Sequence, residues 1–126
     1  MGVTRSRTVR FHGAGGVTLV ADEWDPGADV AGDRPTVVLL HGGGQNRFSW
    51  KNTCRVLAGH GLHVVAPDSR GHGDSDRSPG ADYGLETLCA DALAVIDQIG
   101  RPTVLIGASM GGLTGILAAD AAGPRK

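Results

Sequence analysis

Little in the 126 residues points to a specialised class. Aromatics are scarce, with two Trp, two Phe and one Tyr, so a core has to be built from Val, Leu, Ile and Ala. The two cysteines, Cys54 and Cys89, sit in no CxxC or CxxH neighbourhood. That excludes a disulfide framework and a zinc-finger pattern, and leaves two reduced thiols in a cytosolic setting. Neither sign of charge dominates: 12 basic against 13 acidic side chains give a net charge of −1. Such a surface has no field to draw nucleic acid or an anionic membrane. No apolar run approaches the ~18 residues of a membrane span. The opening MGVTRSRTVRFHG also lacks the apolar centre of a signal peptide. The expectation is a cytoplasmic chain with no nucleic-acid or membrane partner. Met1-Gly2-x-x-x-Ser6 fits a loose myristoylation pattern, but the segment reads better as the approach to a first strand.

What is abundant is glycine, 21 residues in all, in a chain that is 40% hydrophobic and 20% charged. That balance is too apolar for disorder, and the length allows one domain at most. Residues 6–12 and 17–24 alternate apolar and polar around Gly13-Ala14-Gly15-Gly16, the mark of a hairpin with one wet face. A polar connector, 25–35, follows. Then Thr36–Leu40, Leu62–Ala66 and Thr103–Ile106 are nearly continuous apolar runs, read as parallel strands buried on both faces. Helical segments are expected over Arg47–His60, Leu85–Ile99 and Met110–Ala122. In the second, Leu85, Leu88, Cys89, Ala92, Ile96 and Ile99 recur every three or four positions, and Gly100 and Pro102 end it. The third stops at Gly123-Pro124. The order ββ, then β-α-β-α-β-α, implies an α/β fold: a mostly parallel sheet with an antiparallel N-terminal hairpin on one edge.

Ligands in such sheets bind beyond the carboxyl ends of the strands, and each of the three ends carries a distinctive loop. After Thr103–Ile106 comes Gly107-Ala108-Ser109-Met110-Gly111-Gly112, a G-x-S-x-G between a strand and a helix, the context of a nucleophile elbow. So sharp a turn strains Ser109 and crowds the positions two before and two after it, which must be glycine. A Ser serving as a plain helix cap is the simpler alternative. A dinucleotide fingerprint fails because Ser109 stands where its second glycine belongs, and a phosphate-binding loop fails for want of Lys. After Thr36–Leu40 comes His41-Gly42-Gly43-Gly44-Gln45, whose bare amides suit an oxyanion hole. Gly43 and Met110 are the expected donors, with Gly44 as second choice. His41 is expected to brace the loop rather than act as a base. The third loop runs from Pro67 to Ser75. Asp68, Arg70 and His72 there are expected to form a polar scaffold, and a metal site from Asp68, His72 and Asp74 is disfavoured for lack of regular spacing.

These residues resemble the α/β-hydrolase superfamily. The blocks VVLLHGGGQNRFSW, VVAPDSRGHGDSD and VLIGASMGG stand in its order and at its spacing, and the resemblance runs from about Val9 to Gly123. Within the superfamily the chain looks like the serine esterases and the cofactor-free haloperoxidases or perhydrolases. Haloalkane dehalogenases and many epoxide hydrolases share the scaffold but carry Asp where Ser109 stands, which argues against both. The resemblance implies that Ser109 is the nucleophile and that the N–H groups of Gly43 and Met110 hold the oxyanion. It implies a small-molecule acyl substrate, hydrolysed through an acyl-enzyme or passed to hydrogen peroxide, and no metal or organic cofactor.

The pattern breaks off after the third block. The family order is Ser, then an acid, then His, yet beyond Ser109 there is one acid, Asp120, and no His. Asp120 lies about 16 Å along the same helix at 1.5 Å per residue, too far to serve. Residues 1–126 therefore read as a single incomplete α/β-hydrolase domain, the N-terminal half of the family fold. Loss of the base removes on the order of 10⁶ in kcat from such a triad. A second reading therefore stands beside the acyl hydrolase: a catalytically inactive fragment or pseudoenzyme that self-associates or takes up a complementary C-terminal half.

Overall fold

The computed structural model describes residues 5–122. The start of the Met1-Gly2 pattern and the stop at Gly123-Pro124 lie outside them. β1 (Arg5–His12) and β2 (Thr18–Asp25) form the expected hairpin, in register from Arg5 opposite Asp25 to His12 opposite Thr18. The three remaining strands are β3 (Thr36–Leu40), β4 (Val64–Pro67) and β5 (Thr103–Gly107). The sheet order is β1-β2-β4-β3-β5. β2 meets β4 antiparallel, and β4, β3 and β5 run parallel. The fold is thus a partial α/β fold with a five-stranded mixed sheet, its hairpin at one edge and β5 at the other.

Among the described residues four α-helices accompany it. α1 (Ala28–Ala31) is a single turn inside the expected polar connector. α2 (Lys51–Gly59) packs on β2 and β4 from one side. There Trp24, Val37, Leu39, Val64 and Ala66 meet Cys54 and Ala58. α3 (Leu85–Ile99) and α4 (Met110–Ala122) cover the other side, over β1, β3 and β5. Gly100, left-handed at φ +70°, ends α3 where the sequence predicts, a conformation that favours glycine.

Two expectations are corrected. The helix predicted over Arg47–His60 begins with a tight 3₁₀ turn, Arg47–Trp50, and becomes α-helical only from Lys51. The cause is local: the Asn46 side chain accepts the Phe48 amide, while the Arg47 amide is drawn to Asp68 (2.6 Å). The second concerns burial. β3 and β4 are buried on both faces, but in β5 Val104 and Ile106 are 45% and 36% exposed. They pair beside Val37 and Leu39, on the side where α2 lies over β2 and β4 and does not reach the edge.

Candidate functional site

The loops after β3, β4 and β5 meet at one end of the sheet, and the turn after β5 is the most constrained. A side chain at Gly107 would run into the Gly111 backbone, and one at Gly111 into the carbonyls of Leu40 and His41. The crowding expected from the G-x-S-x-G pattern is real, and half of it comes from β3 rather than from the turn itself. Ala108 is stitched to β3 through the Leu40 carbonyl (3.1 Å). Between them Ser109 is held at φ +55°, a left-handed conformation that costs a non-glycine residue about 1–3 kcal/mol. Ser109 is exposed, and its hydroxyl has no hydrogen-bond partner among the described residues. α4 starts at the next residue.

The glycine loop lies alongside. A Cβ placed on Gly43 would stand 3.8 Å from Met110 Sδ, so the two residues singled out as amide donors are neighbours. The Gly42 amide is taken by Gln45 Oε1 (2.9 Å) and the Gly44 amide by His72 Nε2 (3.1 Å). Gly44, the second choice, is therefore already engaged.

Both histidines near the mouth are used up as braces. His41 is fully buried; its Nε2 accepts the Ser69 amide (3.0 Å) and its Nδ1–H donates to the Gly42 carbonyl (2.7 Å). His72 repeats the arrangement, accepting from Gly44 at Nε2 and donating from Nδ1 to the Arg70 carbonyl (3.0 Å). A nitrogen that accepts an amide proton must carry a lone pair, so each ring is the neutral Nδ1–H tautomer with neither nitrogen free. Burial pushes the His41 pKa down and reinforces its neutrality. Neither ring is placed to take a proton from Ser109.

Beneath the loops lie two buried arginines. Arg47 donates from its amide and from Nη1 to the carboxylate of fully buried Asp68, and from Nη1 to Asp74 (2.9 Å). Its Nε sits 3.0 Å from Asp22. Burial opposes the charge, but these carboxylates outweigh it and hold the guanidinium pKa above its ordinary value. Arg70 grips Asp91 through two parallel bonds, Nε to Oδ2 (2.7 Å) and Nη2 to Oδ1 (2.8 Å), and also donates to Ser78 and to the Ala14 carbonyl. The expected scaffold of Asp68, Arg70 and His72 thus exists, and its carboxylate is committed to Arg47 rather than open to a metal. The sequence reading missed the partners Arg47, Asp22 and Asp91. For Asp91 a signal was present: it shares the apolar face of α3 with Leu88, Ala92 and Val95, and an acid at such a position needs a buried partner.

Among the described residues no helix is long and apolar enough to cross a membrane. The alpha/beta hydrolase fold model matches residues 35–126. Epoxide hydrolase A of Mycobacterium tuberculosis is 37% identical over 95 residues, covering 74% of this chain and 28% of the relative. The epoxide hydrolase A structure from Mycobacterium thermoresistibile has a TM-score of 0.71 at 35% identity, over 92% of this chain and 34% of that one. An alpha/beta hydrolase from Novosphingobium aromaticivorans reaches a TM-score of 0.79 at 28% identity, over 96% and 41%. The chain therefore spans between about a quarter and two fifths of these relatives. These findings overturn the expected acyl hydrolase working through a Ser nucleophile, with or without transfer to peroxide. Two of the three carry the name of a branch that Ser109 was taken to argue against, and most of the relatives' length has no counterpart here. On the match of residues 35–126, the chain belongs to the α/β-hydrolase-fold family.

Proposed function

We propose that these 126 residues are part of an α/β-hydrolase domain of the epoxide-hydrolase branch and are catalytically incomplete as they stand. The carrying observation is at Ser109. Its hydroxyl has no partner among the described residues, the two nearby imidazoles are spent on backbone amides, and no His follows it within the 126 residues. In this reading Ser109, with the amides of Gly43 and Met110, forms the reactive corner of the site. The proton-transfer residues and the substrate-binding walls belong to the larger share of the relatives' length. The corner takes small molecules only once those parts are in place.

The reading includes a partner, namely further strand–helix units of the same domain laid alongside β5. Supporting it are the exposed Val104 and Ile106, the exposed Leu113, Ile116 and Leu117 on α4, and the share of the relatives left unmatched. An open apolar strand edge of this kind associates readily.

The test is to incubate the purified chain with styrene oxide, with p-nitrophenyl acetate and with a fluorophosphonate probe. Hydrolysis at the buffer rate and no labelling are expected with all three. Turnover or labelling that Ser109→Ala abolishes would show a complete site in these residues and end the reading.

A further inference from the structure

At the opposite end of the sheet from the loops, three donors of different kinds converge. Glu23 and Asp25 close β2, and His63 stands just before β4. One ligand atom from each lies within 4.8 Å of the other two. His63 Nε2 and Glu23 Oε2 are 2.7 Å apart. His63 is buried, Glu23 half-buried and Asp25 exposed, so the cluster opens to solvent on the Asp25 side.

Each of the three is also anchored by a second contact. The Thr36 hydroxyl, on fully buried Thr36, holds His63 Nδ1 (2.8 Å). Arg7 Nε holds Glu23 Oε1 (2.6 Å). The Gly27 amide holds Asp25 Oδ1 (2.8 Å). Donors fixed through their other atoms are what a preformed metal site requires, since outer contacts of this kind orient the ligands and set their tautomers.

We propose that Glu23, Asp25 and His63 bind one divalent ion of the zinc class, with water completing the coordination. One imidazole nitrogen with two carboxylate oxygens suits Zn²⁺ or Co²⁺, whereas Ca²⁺ and Mg²⁺ favour oxygen alone. The ion replaces the proton between His63 Nε2 and Glu23 Oε2. The imidazole stays neutral as its proton moves to Nδ1 and donates to Thr36 Oγ1. Arg7 neutralises one of the two carboxylates through Oε1 and leaves Oε2 available. The site ties the hairpin to the starts of β3 and β4, so its role is structural and separate from the loops at the other end.

Titrating ZnCl₂ into the chain by calorimetry, with Co²⁺ absorption as a second readout, tests this. One ion per chain is expected, together with a raised melting midpoint. Asp25→Asn and His63→Gln should each weaken binding by at least ~10-fold, the scale on which changes around such sites act. Asp25 is exposed, so its variant keeps the test valid if His63→Gln fails to fold. No binding at micromolar zinc, or unchanged affinity in Asp25→Asn, would overturn the proposal.

Discussion

β3 and β5 are alike in sequence, TVVLL and TVLIG, yet one is sealed and the other half open. Every residue of β3 is buried, because β4 and β5 flank it and helices lie over both faces. In β5 the residues facing α4 are partly covered, while Val104 and Ile106 on the other face look into solvent. An apolar run records what a strand is built to bury, and whether it does so depends on neighbours that the run itself does not encode. The same contrast holds for polar groups. Around β4 each buried charge has its opposite, whereas the Ser109 hydroxyl at the end of β5 has none.

The largest effect is expected in the sealed half. Asp91→Ala strips the Arg70 guanidinium of its bidentate partner, with Arg70 3% and Asp91 5% exposed. Breaking one side of such a buried pair costs about 3–5 kcal/mol, much of the stability of a small domain. Urea unfolding would register it as a loss of the folded baseline. A loss under 1 kcal/mol would mean that water reaches Arg70 and that this half is less sealed than its geometry indicates.

Next comes a matched pair across the boundary. Leu39 is fully buried and Ile106, its β5 neighbour in register, is 36% exposed. Leu39→Ala should cost about 2–5 kcal/mol through lost transfer energy and a cavity. Ile106→Ala should cost less than half as much in the chain by itself, since much of its surface is never taken from water. Equal losses in the two variants would show that association covers β5 under the conditions of the measurement.

These pairs also mark what the sequence reveals. Strand positions, the hairpin and the bounds of α3 follow from local pattern: alternation, an apolar run, or a heptad-like repeat stopped by Gly100. The turn at Ser109 is legible because crowding forces glycine at 107 and 111. The start of α2 was misplaced because Arg47 answers to Asp68, a contact across 21 positions with no periodic trace. The metal-like cluster was invisible for the same reason, as Glu23 and His63 are brought together only by the pairing of β2 with β4. The reading of the chain as a serine acyl hydrolase failed differently. It took one residue to settle the branch, against relatives that resemble the chain along most of its length.

A smaller effect is expected at the braced His41. Burial holds His41 below its ordinary pKa of 6.5, so the unfolded chain takes up the proton more readily. Stability from this group is complete above about pH 6.5 and falls as the pH drops from there toward the lower folded value. Protonation would also turn Nε2 from acceptor to donor and break the bond from the Ser69 amide. An NMR titration should find the His41 midpoint below 6.5, with the ring still neutral where a free imidazole is already charged. A His41 midpoint at or above 6.5 would remove the argument that His41 is a locked brace.

The smallest effect is expected at Ser109 itself, and there even the sign is informative. Its φ of +55° is costly for serine and free for glycine. Ser109→Gly should therefore relieve about 1 kcal/mol or more of backbone strain. Against this, glycine loosens the unfolded chain by roughly 0.5–1 kcal/mol. The two nearly cancel, so the melting midpoint should stay level or rise slightly. That holds only if the hydroxyl contributes nothing to folding, as its lack of a partner implies. A drop of more than about 1 kcal/mol, the typical worth of a hydrogen bond, would mean that Ser109 has a partner after all. The open end of β5 would then be as fully satisfied as the sealed strand beside it, and the strain at Ser109 would have a structural use within these residues.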